Sequence, residues 1–237
     1  MLPYPSYGGS ASHSISELRR VECSAYFQNA QASLSAMLSD GTAQDVTAYA
    51  SVELLSTGGA LTASLDTQGS AALIVRPSAT GSVLVSASYE GHGSNSSLEI
   101  VPWSANVTAV SLSLPSLPSI DGVLSFGALN GTRVQSVVEM QFNDGTVFPD
   151  ATALDWIPAS AMLAFISSMP AAVSVDAEGG FALLDNHWEP TTLTAQTVCV
   201  GAKLMSSKSV AANIAPRLDD VDLGSSSGVQ YQQHGTA

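Results

Sequence analysis

The chain reads as all-β, built as two β-sandwiches in tandem. A duplicated set of turns, period-two alternation between those turns, and the lack of any sustained helical periodicity carry that reading. Ser39-Asp40-Gly41-Thr42 is echoed by Asn143-Asp144-Gly145-Thr146, and Leu65-Asp66-Thr67-Gln68-Gly69 by Val175-Asp176-Ala177-Glu178-Gly179. Asp40 and Asp144 stand 104 positions apart, Asp66 and Asp176 110 apart. Such a period is too long for a solenoid and suits a small β-domain.

Residues 1–16 form an expected flexible leader, rich in Pro, Gly, Ser and Tyr. Within its end, Ser16 to Arg20 has the composition for one helical turn. The first sandwich is expected over 17–103. There Leu34, Ala36 and Leu38 alternate with Ser33, Ser35 and Met37. Val83, Val85, Ala87 and Tyr89 alternate with Ser82, Leu84, Ser86 and Ser88. The second sandwich is expected over 104–216, with the boundary near Pro102-Trp103-Ser104. Val138, Met140 and Phe142 face one way, Val137, Glu139 and Gln141 the other, and Leu193, Ala195, Thr197 and Cys199 repeat the theme. Alternation broken at short intervals by Asp-Gly, Gly-Gly or Pro is the sequence sign of a sandwich. Gly41 and Gly145 supply positive φ in tight hairpins, where Asp40 and Asp144 hydrogen-bond the turn backbone. Asp66 and Asp176 lead a second turn, closed by Gly69 and Gly179. Residues 217–237 read as an acidic, Ser-, Gly- and Gln-bearing linker tail.

Composition narrows the function. Of 237 residues 45% are hydrophobic, enough for a packed core, and only 11% are charged, against roughly 25% in typical soluble domains. Net charge is −13, with seven Lys or Arg. No basic patch can neutralise several phosphates, which argues against nucleic acid, and an anionic membrane surface repels the chain. No apolar run reaches the length of a membrane span, so no direct membrane insertion is expected of this segment. The first residues lack the basic and apolar regions of a signal peptide. A piece of a larger exported chain is the preferred reading, and a cytosolic protein is the alternative. Cys23 and Cys199 lie one in each repeat at non-equivalent places. That excludes a disulfide within either unit, leaves their redox state open, and is too little for a metal site.

The second unit carries a recognisable pattern. Val138-Glu139-Met140-Gln141-Phe142-Asn143-Asp144-Gly145-Thr146 leads to Leu154-Asp155-Trp156, then to Ala172-Val173-Ser174-Val175-Asp176-Ala177-Glu178-Gly179 and Thr192-Leu193-Thr194-Ala195. This resembles the bacterial immunoglobulin-like (BIG2-type) domain. The first unit matches through Asp45-Val46-Thr47 and the Gly81-to-Tyr89 strand, without a Trp on the third strand. Phe142 to Thr146, Ala172 to Val175, and Cys199 with Lys203 and Lys208 are also similar to the extracellular immunoglobulin-like region of the transmembrane protein 132 family. The resemblance covers residues 20–216. It implies two tandem immunoglobulin-like β-sandwich domains, placed outside the cell or on its surface as a spacer or adhesion module. It brings no catalytic residues and no cofactor.

Candidate site residues are few. Asn95, Asn106 and Asn130 each open an Asn-x-Ser/Thr glycosylation triplet, expected in a loop or at a domain edge. Asp219, Asp220 and Asp222 offer hard oxygen ligands for a weakly held Ca²⁺, although a solvated acidic linker is the preferred reading. Gly224-Ser225-Ser226-Ser227-Gly228 matches a hydrolase motif literally but stands in the tail, and reads as linker. The four histidines show no metal-ligand spacing. Trp156 is expected on the third strand of the second unit, pinning its core. Trp103 is expected to pack between the units. Trp188, beside His187, is a candidate for stacking on a sugar or a partner.

The expected function is therefore non-enzymatic. Rigid sandwiches set a reach, and edge strands and end loops around Asp121, Asp144, Asp155 and Asn186 meet a protein partner or a second copy. A carbohydrate-binding module using Trp188 is the alternative, with a glycan as ligand. An enzyme with a hidden site at His187 is the third reading.

Overall fold

The computed structural model describes residues 1–4, 14–57, 63–68, 72–120, 122–126, 131–185, 189–199 and 203–212. Several sequence expectations lie outside these: most of the leader, the closing Gly69, Asp121, Asn130, Asn186, His187, Trp188 and the tail with Asp219, Asp220 and Asp222. Among the described residues the only helices are two 3₁₀ turns, Thr47–Tyr49 and Ala159–Ala161. None is long and apolar enough to cross a membrane, which says nothing about spanning by strands.

The first half contributes β1 (Leu2–Tyr4), β2 (Glu17–Val21), β3 (Asn29–Ala32), β4 (Ser35–Met37), β5 (Ala43–Asp45), β6 (Ser51–Thr57), β7 (Ala63–Gln68), β8 (Ala72–Pro77), β9 (Gly81–Tyr89) and β10 (His92–Ala105). They form two sheets, β1-β3-β8-β7 and β2-β10-β9-β6, with β4 and β5 as a separate hairpin. The second half contributes β11 (Val107–Ser113), β12 (Ser119–Ile120), β13 (Val123–Ser125), β14 (Arg133–Gln135), β15 (Val137–Phe142), β16 (Val147–Phe148), β17 (Leu163–Ser167), β18 (Val173–Val175), β19 (Gly180–Leu183), β20 (Pro190–Thr197) and β21 (Met205–Ala211). Its sheets are β14-β19-β18, β12-β13-β21-β20-β17 and β11-β15-β16.

Both halves follow one plan. An early strand runs parallel to the last strand of its half, with Leu18 opposite Ile100 and Leu124 opposite Val210. The remaining pairs are antiparallel, and a second layer (β1-β3-β8-β7, then β14-β19-β18) faces the sheet that holds the parallel pair. Two immunoglobulin-like sandwiches in tandem are the result.

The alternation seen in the sequence is what fills the cores. Leu18, Ala30, Val75, Val83, Leu98 and Ile100 pack together in the first sandwich. In the second, Val138, Met140, Phe142 and Phe148 are buried with Leu163 and Ala195, beside a further cluster around Phe181 and Val210.

The structure corrects five expectations. Leu2–Tyr4, expected in a flexible leader, is strand β1 paired with β3. Asp66, expected to lead a turn, lies within β7 opposite Ile74. Ser16 to Arg20 is no helical turn: Glu17–Val21 is strand β2, because Leu18 and Val21 enter buried clusters as it pairs with β10. No strand break occurs at Pro102-Trp103-Ser104, since β10 runs on to Ala105 and Asn106 alone precedes β11. Trp156 lies on no strand; it sits in the bends between Phe148 and the Ala159–Ala161 turn.

Candidate functional site: the joint between the sandwiches

The conspicuous constellation joins the two halves. It begins in the ends of β2 and β10, where Val21 and Ala105 are buried in the core cluster of the second sandwich rather than the first. Those two strands therefore carry an apolar plug of the first half into the second. Beyond Val21 the chain turns back, with Val21 N–H donating to Tyr26 O at 2.8 Å. Cys23 stands in that turn with φ of 65°. The β20 alternation places Cys199 inward with Leu193, Ala195 and Thr197, and the two cysteines form a disulfide with Cα atoms 5.3 Å apart. The pair excluded within either unit thus closes between them.

Polar contacts surround this staple. The Gln28 side-chain Nε2 donates to Asp144 Oδ2 at 2.7 Å and to Thr146 Oγ1 at 3.0 Å. The Val107 N–H donates to Glu22 Oε2 at 2.6 Å. Arg76 reaches Asp155 Oδ2 at 2.6 Å, and its guanidinium lies 5.8 Å from the Trp156 ring centroid. Trp156 also meets Tyr4 of the first half at 5.3 Å and Phe148 of the second at 6.0 Å, edge to face. A cleft of about 220 Å³ opens beside it, among Tyr26, Phe27, Asn29 and Arg76.

This geometry reverses two assignments. Trp156, expected inside one sandwich, bridges both. Trp103, expected between the units, is 54% exposed, and its indole N–H donates to Glu17 Oε1 at 2.9 Å. Asp144 and Asp155, expected to await a partner, already hold Gln28 and Arg76. No local signal marks Gln28, because its partners lie more than a hundred residues away.

Of the glycosylation candidates, Asn106 is exposed between β10 and β11, and its carbonyl accepts from Asn143 N–H at 2.9 Å. Asn95 lies within strand β10, not in a loop, with its side chain exposed. Asn130 and the candidates His187, Trp188, Asp219, Asp220 and Asp222 fall outside the described residues.

The chemistry on offer is binding and bracing. Glu22, Cys23 and Cys199 bring ligand atoms within 4.8 Å of one another. Both sulfurs are joined to each other and the carboxylate is engaged by Val107, so the trio acts as a staple. The pKa values of Asp40, Asp45 and Asp176, which stand in or beside turns, are lowered. Hydrogen bonds from the Thr42 and Thr47 hydroxyls, aided by their backbone N–H groups, lower Asp40 and Asp45 below the usual range. For Asp176, burial raises the pKa, and the N–H groups of Gly180 and Glu178 with Arg133 outweigh it, so the net direction is down.

No family model and no curated protein matches the chain. Solved structures do. A C-terminal 282-residue fragment of intimin, in complex with the intimin-binding domain of its translocated receptor, is 16% identical over 82% of this chain and 60% of that one, with a TM-score of 0.26. A chimeric titin Z1Z2 is 11% identical over 84% and 94%, TM-score 0.31. Domains 1–6 of the surface layer protein SbsC are 13% identical over 86% and 26%, TM-score 0.31. The chain thus spans 60% of the intimin fragment and 26% of the SbsC structure. At these identities and scores the likeness brings neither function nor partner to this chain.

Proposed function

We propose that this chain is a non-enzymatic adhesion or spacer segment of a larger extracellular or cell-surface protein. Its first sandwich runs from β1 to the end of β10 and its second from β11 to β21, with residues 217–237 as a linker. The observation that carries the reading is the braced joint. The Cys23–Cys199 disulfide, the Gln28–Asp144 hydrogen bond and the Trp156 bridge hold two sandwiches as one body. A fixed joint transmits reach and force, which a spacer requires, whereas interdomain motion is the default where an interface is small and polar. The disulfide also supports placement in an oxidising compartment, since cytosolic thiols are generally kept reduced.

The test combines shape and binding. Small-angle scattering of the purified protein is expected to fit one rigid two-sandwich body, and a cell-binding assay to detect a surface partner. Monomers that flex freely at the joint and bind no cell overturn the reading.

A further inference from the structure

The two sandwiches align position by position through their pairing. Val52 opposite Ala87 corresponds to Leu163 opposite Thr197, and Ala30 opposite Val75 to Val134 opposite Phe181. The Asp-Gly hairpins close alike: Leu38 N–H donates to Thr42 O at 2.8 Å, and Phe142 N–H to Thr146 O at 2.9 Å. Leu38 thus matches Phe142, Ala36 matches Met140, and Leu34 matches Val138. Val46 N–H to Leu34 O at 2.9 Å and Ala151 N–H to Val138 O at 2.7 Å agree with that register.

One strand of the second sandwich has no counterpart among the described residues of the first. β11 lies antiparallel to β15, with Leu112 opposite Val138 and Val110 opposite Met140. Leu112 N–H donates to Ser206 Oγ of β21 at 2.9 Å, so β11 closes the gap between β15 and the other sheet. Among the described residues β4 pairs only with β5. The exposures follow. Phe142 is 4% exposed, whereas Leu38 is 43% and neighbouring Met37 73%. Val138 and Met140 are buried, whereas Leu34 and Ala36 are half-buried. Where β11 would stand lies a groove of about 450 Å³, lined by Leu34, Ala36, Val46, Ala87 and Tyr89.

We infer that this groove accepts a β-strand from a protein partner. The strand lies antiparallel to β4 and presents branched apolar side chains at alternate positions, as Val107-Thr-Ala-Val-Ser-Leu-Ser113 does in the second sandwich. The free edge of β4 supplies main-chain hydrogen bonds, and the groove supplies side-chain pockets. Glu90 lines the groove, and Asp40 and Asp45 flank it on the β4–β5 hairpin. A strand flanked by Lys or Arg therefore suits it. A second copy, itself at net charge −13, does not. Residues 5–13, Pro-Ser-Tyr-Gly-Gly-Ser-Ala-Ser-His, lack the alternating apolar side chains. The inference deepens the adhesion reading and rests on it for the partner being a protein.

The probe is the peptide Lys-Val-Thr-Ala-Val-Ser-Leu-Ser-Lys, fluorescently labelled and titrated against the whole oxidised protein. Saturable one-to-one binding is expected, weakened about tenfold or more by Ala36→Trp, which fills the groove, and by Ser at the peptide's second Val and its Leu. Met205→Thr, exposed on β21 of the second sandwich, leaves binding unchanged and controls for folding. Absence of saturable binding overturns the inference. So does binding indifferent to both changes, or a dimer in sedimentation that Ala36→Trp dissolves. If wild type and Ala36→Trp bind cells equally, the groove is excluded and adhesion stands. If the peptide binds and no cell does, the adhesion reading fails and the groove stands.

Discussion

Gln28 sends its side-chain amide across the joint to Asp144 and Thr146, two members of the second sandwich's Asp-Gly hairpin. The residue is only 4% exposed, so this donor has no ready replacement in water. The same hairpin in the first sandwich, Asp40 with Thr42, is exposed and, among the described residues, bonds only within itself. A duplicated turn has therefore been put to two uses, one local and one as a socket.

Gln28→Ala is expected to destabilise the protein by about 1–3 kcal/mol, the cost of leaving buried polar partners unsatisfied. The measurement is the guanidinium midpoint followed by tryptophan fluorescence. An unchanged midpoint means the amide does not make these bonds in solution.

Joining Cys23 to Cys199 closes a span of 176 residues, which restricts the unfolded chain. The Cys23→Ser, Cys199→Ser double variant should lose about 2–4 kcal/mol. Scattering should show a wider spread of shapes, while far-UV circular dichroism keeps its β signature. If the variant holds the same rigid shape, the noncovalent contacts alone fix the joint.

The two tryptophans should differ sharply. Trp156→Ala removes a ring in contact with Tyr4, Phe148 and Arg76, at a cost of about 3–5 kcal/mol. Trp103→Ala removes a mainly exposed ring and should change stability by about 0.5 kcal/mol or less. Equal costs in thermal unfolding would mean the joint is not organised around Trp156.

What could be read from the sequence was local. Asp-Gly pairs and alternating Val, Met and Phe act through neighbours two to four residues away, and both appear in the structure where the pattern puts them. The joint could not be read that way. Gln28, Arg76 and Cys23 gain meaning from residues 79 to 176 positions distant, and nothing beside them in the chain reports it. Glu17-Leu18-Arg19-Arg20 misled for a related reason. These are good helix formers, but parallel pairing with β10 and burial of Leu18 override local preference. Trp156 followed the motif's order along the chain, yet the chain bends where a strand was expected.

Acid should weaken the Asp176 turn. Its carboxylate accepts from Gly180 N–H at 2.8 Å, Glu178 N–H at 3.0 Å and Arg133 at 2.7 Å, and its pKa is lowered in the folded state. A depressed folded pKa contributes stability above the unfolded value, near 3.9, and loses it as pH falls through the folded one. Wild type should therefore exceed Asp176→Asn in stability at neutral pH, with the gap narrowing below about pH 4. Chemical unfolding at several pH values measures it, and a gap that persists undiminished in acid rules out the charge as its source.

Gly179 and Gly145 separate backbone conformation from crowding. Both hold positive φ, 83° and 84°, so Ala at either position costs about 1–2 kcal/mol for the left-handed backbone. A Cβ at Gly145 meets nothing within 4 Å, whereas one at Gly179 would stand 2.6 Å from Ser136 Oγ and 2.8 Å from Phe165 Cζ. Neither neighbour yields freely. Ser136 is fully buried and its hydroxyl donates to Gly179 O at 2.8 Å, while Phe165 packs edge to face on Phe181. Gly179→Ala should thus cost a further 1–3 kcal/mol or so beyond Gly145→Ala. Equilibrium unfolding of the two variants decides the point: equal losses would show that the β18–β19 turn has room to shift away from Phe165.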